Sequence, residues 1–385
     1  MNNSQPFVRI IHDLQFGSTG KGALAGYIGS EWNHDAVATA WGTNAGHTMD
    51  VGGSKWISTQ IASTAVFESV KFLFVGPGSM INPSKFIDEL DAVQEHRESR
   101  GYEPLKVIMH EAATVITHAH VEAEAARVSI GSTMKGNSEA LMNKLRRDPT
   151  QAVIIGQYSC PINFRDDITI YPMALYRSMM AQSLKLLVEG AQGLHLGINQ
   201  QFYPYCTSRE CTPAQIMTDC GIPGWWGNVR YGTARTYPIR VSNRYDQAGN
   251  MVGWSGPHFP DQTETQFHHI GVKEERTTVT HLPRRIFTWS DVQMQDAIDQ
   301  TMPHVVFLNF CNYGSIVITT RIIDSIFKMY KSREMPVELL TGWGAKSSQI
   351  VGFPADIESI QDKVIELREK LVEPDQDQSA TQRQR

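Results

Sequence analysis

The chain has no dense run of lysine and arginine: 35 basic residues stand against 40 acidic ones, for a formal net charge of −5. Binding to a nucleic-acid polymer rests on phosphate neutralisation, so that partner class is not expected. Apolar runs long enough to cross a bilayer are missing, and Met1-Asn2-Asn3-Ser4-Gln5-Pro6 lacks the charged-then-apolar build of a signal peptide. Neither a membrane role nor export is expected, and the cytoplasm is the expected compartment. Cysteine is sparse: Cys160, Cys206, Cys211, Cys220 and Cys311 make an odd number at scattered spacing. That spacing suits neither a disulfide framework nor a zinc site; free thiols in a reducing compartment are expected.

What is present suits a large core, with 41% hydrophobic and 19% charged residues in 385. Short apolar runs at 7–11, 36–40, 71–75, 106–110, 184–189 and 305–308 read as strands. Several of them end in polar, glycine-rich turns. Helices are expected over 23–28, from Asn82-Pro83 to near Gly101, in the stretch 112–127, and within 350–371. Strand, polar turn and helix in repetition predict an α/β fold, a P-loop-like, mostly parallel central sheet flanked by helices with the site at one end. Residues 244–283 carry little periodicity and read as a functional loop region. Residues 1–372 are read as a single domain, and the polar 373–385 as a disordered tail.

The sharpest local feature is Gly17-Ser18-Thr19-Gly20-Lys21-Gly22, between an expected strand and an expected helix. Free N–H groups at a helix start can hold phosphate oxygens, glycines let the anion approach, and Lys21 adds a charge. This is not a Walker A loop. Its glycines are too close together, and Gly22 replaces the hydroxyl that would meet magnesium. On these residues alone, a tight turn and a phosphate loop both remain open.

Several stretches together resemble the adenylosuccinate synthetase family. Leu14-Gln15-Phe16-Gly17-Ser18-Thr19-Gly20-Lys21-Gly22 is similar to its phosphate loop, and Asn44-Ala45-Gly46-His47-Thr48 to its second motif, unaltered. Glu189-Gly190-Ala191-Gln192-Gly193, Tyr203-Pro204-Tyr205-Cys206-Thr207-Ser208 and Pro283-Arg284-Arg285 match three more in order. One departure stands out: the family's catalytic aspartate in the phosphate loop is here Ser18. Asp13 lies four residues before the loop, on the strand, and does not replace it. The substitution resembles that of the bacteriophage 2-aminoadenylosuccinate synthetases, which act on dGMP. A small hydroxyl leaves room beside C2 of the purine for guanine's amine.

The resemblance implies a magnesium-dependent ligase of L-aspartate and dGMP, driven by ATP or dATP, in the cytoplasm of a host cell if phage-encoded. It places Ser18, Thr19, Gly20, Lys21, Gly22, Gly46, His47 and Thr48 around the donor phosphates. Asn309 and Thr341-Gly342-Trp343-Gly344 would meet the donor's base, with Trp343 stacking on adenine. The run Leu308-Asn309-Phe310-Cys311 lacks the family's guanine-reading carboxylate, which favours an adenine donor. For dGMP it implies Ser18, Asn44, Ser132, Thr133, Gln192, Thr207 and Val241, with Arg147 reaching over from the second subunit of a homodimer. For aspartate it implies Thr277, Thr278, Val279, Thr280 and Arg284 or Arg285. Magnesium would meet the Gly46 carbonyl and Ser18, and His47 would act as the acid beside O6; Ser18, Lys21 and His47 are the catalytic candidates. The base for the N1 proton stays open. An IMP-dependent synthetase and a catalytically silent nucleotide-binding regulator are the alternatives.

Overall fold

Ten strands form the main sheet of the computed structural model, which describes residues 6–127, 133–148, 150–151, 153–276 and 282–372. In chain order they are β1 (Phe7–Asp13), β2 (Ala36–Thr39), β3 (Phe72–Val75), β4 (Lys106–His110), β5 (Ile168–Tyr171), β6 (Lys185–Glu189), β7 (Asn228–Arg235), β8 (Val305–Asn309), β9 (Glu338–Gly342) and β10 (Ile350–Phe353). Across the sheet they run β10-β9-β8-β7-β1-β6-β2-β3-β4-β5. All neighbours are parallel except β9 and β10.

Side-chain alternation sets the layers. In β1, Val8 and Ile10 enter one apolar cluster and Ile11 another; in β6, Leu186 and Val188 join the first pair and Leu187 joins Ile11. Strands apolar on both faces are covered on both, which the parallel arrangement requires. The chain winds outward from β1 through β2 to β5, returns with β6 between β1 and β2, then continues on the other flank through β7. Such a reversal opens a crevice at the carboxyl ends of the central strands.

Two expected helices are shortened, each for a local reason. The stretch 112–127 is helical only over His118–Arg127, because β-branched Thr114–Val115 pair as a short strand with Met80–Ile81. In 350–371, Ile350–Phe353 is the antiparallel edge strand β10, and the helix Ile360–Leu371 starts after Pro354 on a Ser359 cap. The helix Pro83–Ser99 begins as expected, with Asn82 accepting from the Lys85 amide. Its charged end is not wholly solvated: Arg97 is buried and donates to the Ala65, Phe67 and Glu103 carbonyls. All five cysteines are free. Among the described residues, no helix is long and apolar enough to cross a membrane.

Candidate active site

Asp13 ends β1 directly beneath the first loop and is buried. Its Oδ1 accepts from the Gln15 amide at 2.8 Å and the Gly17 amide at 3.2 Å. Its Oδ2 accepts from the Thr19 hydroxyl and, at 2.9 Å, from the Lys21 ammonium. Thr19 also meets the Thr233 hydroxyl at 2.5 Å, so its side chain anchors the loop from below. The helix α1 (Lys21–Trp32) starts after Gly20 at φ 97° with no side-chain cap, leaving first-turn N–H groups for an anion. A Cβ on Gly22 would stand 2.6 Å from the Thr48 carbonyl oxygen. The helix start therefore rests on the second loop, and there is no space for the Walker hydroxyl.

These loops open on a cleft of about 750 Å³. The cleft brings together Ser18, Gly20, Lys21, Gly22, Asn44, Gly46, His47, Thr48, Gln192, Val241, Arg284, Asn309 and Gly344, residues far apart in sequence. Ser18, Gln192 and Phe310 line it in the left-handed region at φ 55°, 66° and 59°, a strain that the surrounding contacts hold in place. The first loop and the loop after β6 touch backbone to backbone: a Cβ on Gly193 would lie 2.3 Å from the Gly17 nitrogen. Lys21 ties them further by donating to the Gln192 carbonyl at 3.0 Å.

His47 enters the cleft from the second loop, with its ring edge-on to Trp41 at 4.1 Å. Behind it stands Glu189, whose Oε2 is 3.9 Å from His47 Nδ1, too far for a hydrogen bond but close for a charge. Glu189 accepts from the Ser63 and Thr64 amides at 3.0 Å each and from the Thr64 hydroxyl at 2.9 Å. Burial alone would raise the Glu189 pKa, but His47 and those donors outweigh it and hold it below the ordinary value. For His47, burial lowers the pKa, with Lys21 adding to it and Glu189 opposing. The pair thus rests as neutral imidazole and carboxylate at neutral pH.

Across the cleft, Arg235 at the end of β7 grips Glu275 through two bonds of 2.6 and 3.2 Å. The same guanidinium donates to the Ser18 carbonyl at 3.2 Å and lies 3.9 Å over the Phe310 ring. Arg284 approaches Glu275 at 3.7 Å. Burial favours neutral Glu275, but the two arginines prevail and keep its pKa below normal.

Other expected positions fall elsewhere. Arg285 is committed to Glu264, Ser255 and the Gly256 carbonyl, so of the two candidate arginines only Arg284 lines the cleft. Trp343 is 1% exposed in the core with its Nε1 on Thr341, so its ring is closed to a base and the expected stacking is corrected. Thr341 and Gly342 are buried beside it, and the cleft edge is formed instead by Gly344 and Ala345. Thr207 is outside the lining, donating its amide at 2.7 Å to the carbonyl of Leu196, which does line the cleft. Thr133 is half-buried and Arg147 exposed at a helix C-terminus, both outside the lining. Ser132, Thr277, Thr278, Val279 and Thr280 lie outside the described residues. Sequence reasoning passed over Asp13, Glu189, Arg235 and Glu275. Glu189 stood inside a quoted motif and Asp13 next to one, whereas Arg235 and Glu275 carried no local signal.

Comparison with known proteins places this geometry. The adenylosuccinate synthetase family model matches residues 10–168 and 163–308. The chain belongs to the adenylosuccinate synthetase family, whose members are ligases forming a carbon–nitrogen bond. It is 38% identical over 365 residues to the N6-succino-2-amino-2'-deoxyadenylate synthase of Acinetobacter phage SH-Ab 15497, covering 89% of this chain and 92% of that one. It is likewise 38% identical to the synthase of the same name from Vibrio phage phiVC8, covering 86% and 94%. The solved succinoaminodeoxyadenylate synthetase of Cyanophage S-2L, bound to dGMP and dATP as an energy donor, superposes with a TM-score of 0.83 at 31% identity, over 95% of this chain and 99% of that one. The fully ligated adenylosuccinate synthetase of Plasmodium falciparum shares the fold, with a TM-score of 0.71 at 16% identity over 90% of this chain and 100% of that one.

Proposed function

We propose that the chain joins L-aspartate to dGMP with hydrolysis of ATP or dATP, giving N6-succino-2-amino-2'-deoxyadenylate, ADP or dADP, and phosphate. The observation that carries this reading is Ser18: a short neutral side chain exposed to the cleft where the family's phosphate loop has an aspartate. The phage synthases named above, and the dGMP and dATP in the Cyanophage structure, support the same substrates.

In this reading the γ-phosphate passes to O6 of dGMP, and the aspartate amine then displaces it at C6. The first stage needs placement and charge neutralisation more than covalent help. The uncapped start of α1 and Lys21 hold donor phosphates, and Gly344 and Asn309 border the donor. His47, backed by the charge of Glu189, faces O6 and donates to the developing oxyanion. Asn44, Gln192 and Val241 lie on the dGMP side, and Arg284 takes a carboxylate of aspartate. Thr133, Thr207 and Arg147 reach the 5′-phosphate, the last from the second copy of a homodimer. The region 1–372 acts as one domain, in the cytoplasm, that of a host cell if the chain is phage-encoded.

A magnesium ion fits the donor set. Among the described residues no three metal-binding side chains gather, but Gly46 and Ser18 offer a carbonyl and a hydroxyl in the same cleft. Magnesium is commonly held by few protein oxygens plus substrate phosphates. When bound it would neutralise phosphate charge.

The test is to incubate purified protein with aspartate, magnesium, ATP or dATP, and either dGMP or IMP. Release of the nucleoside diphosphate that needs both aspartate and dGMP is expected. Turnover of IMP alone overturns the reading.

A further inference from the structure

The carboxylate absent from position 18 has a counterpart under the loop. Lys21 is an ammonium with 6% exposure and three donors to place. Two are fixed, at 2.9 Å on Asp13 and 3.0 Å on the Gln192 carbonyl, while the residue itself lines the cleft. Asp13 also accepts from two loop amides and the Thr19 hydroxyl, so one carboxylate sets both the loop's shape and the place of its cation. A buried ammonium without a counter-charge is costly, and Ser18 supplies none.

We propose that Asp13 is a positioning residue for the reaction: it holds the Lys21 ammonium between the two phosphate-binding loops, with its third N–H free for the transferring phosphate. Asp13 touches no substrate in this assignment, and acts through Lys21. The proposal rests on the phosphoryl-transfer reading above.

The test is a double-mutant cycle of Asp13→Asn and Lys21→Met, with turnover measured on whichever monophosphate the wild-type protein accepts. Asp13→Asn is expected to lower kcat about 100-fold in the wild-type background, and less than about threefold once Lys21 is methionine. Equal losses in both backgrounds would mean that Asp13 acts independently of Lys21 and would overturn the proposal. A second measurement needs neither activity nor this particular reaction. The hydrogen-bonded Lys21 ammonium should give a protected nitrogen resonance in lysine-labelled protein, absent from Lys21→Met and lost in Asp13→Asn. Its persistence in Asp13→Asn would also overturn the proposal. If Asp13→Asn does not fold, Asp13→Glu keeps the charge but shifts it; kcat should fall at least about tenfold with a folded protein, and unchanged turnover would count against the role. Turnover of IMP without dGMP would refute the substrate reading while leaving the cycle readable.

Discussion

Glu189 looks at His47 across 3.9 Å from inside the fold, and each of them changes what the other can do. The carboxylate is held by three donors from Ser63 and Thr64, so it cannot swing toward the imidazole without losing them. It acts as a fixed charge that favours the imidazolium when His47 takes or shares a proton.

His47→Asn is accordingly expected to reduce kcat about 100-fold or more, as loss of a general acid does. Glu189→Gln should reduce it less, about tenfold, and move the alkaline limb of the kcat–pH profile to lower pH, because the charge favouring the imidazolium is gone. Steady-state rates across pH check both; a limb displaced to higher pH in Glu189→Gln would contradict the pairing.

Ser18→Asp tests the space beside the purine. Aspartate is among the residues that tolerate a left-handed backbone, so the turn at φ 55° keeps its shape and only the side chain changes. Turnover of dGMP should fall at least about tenfold as the carboxylate crowds the 2-amino group. An unchanged dGMP rate, with the melting temperature also unchanged, would remove the steric explanation.

Gly22→Ser restores the hydroxyl of an ordinary Walker loop, yet it should harm the protein. Its Cβ would meet the Thr48 carbonyl oxygen at 2.6 Å and the Thr48 nitrogen at 2.7 Å, both backbone atoms with little freedom to yield. A loss of about 1–3 kcal/mol is expected, read by chemical denaturation, together with reduced turnover. Wild-type stability would show that α1 can retreat from the second loop.

Acid should destabilise the fold before carboxylates matter. Burial is the main cause that lowers His12 to about 3 and His34 and His195 to about 4, with Asp13, Glu189 and Asp296 opposing. Below their ordinary value near 6.5 the unfolded chain binds protons that the folded one refuses. Stability is therefore intact above that value and declines as pH falls toward 4. Each histidine contributes about 1.4 kcal/mol per pH unit, so a melting-temperature loss of about 10 °C between pH 7 and pH 5 is expected. A flat profile over that range would contradict the burial of neutral imidazoles.

The central strands could be read in advance because apolar runs such as 36–39 are buried on both faces and carry no competing pattern. β7 could not. Its sequence Asn-Val-Arg-Tyr-Gly-Thr-Ala-Arg looks too polar for the middle of a sheet, and only the structure supplies partners: Arg230 on the Thr301 and Met302 carbonyls, Arg235 on Glu275. β10 was hidden for another reason, since Ile350 and Phe353 fit a helical face as well as a strand until Pro354 intervenes. In the cleft, motif residues such as Lys21, Asn44, His47 and Gln192 come together as their sequences promised. Trp343 did not, because a tryptophan beside a glycine can satisfy its N–H inward on Thr341 as readily as offer its ring outward.

Gly17 and Gly193 meet with no side chain between them, so neither loop can be displaced by itself. If, as proposed, Gln192 binds the monophosphate and the first loop the donor, a shift of either ligand is felt at the other through this joint. On that proposal the tightness of the joint is what couples the two sites, and any bulk inserted there, even one methyl, would force the loops apart.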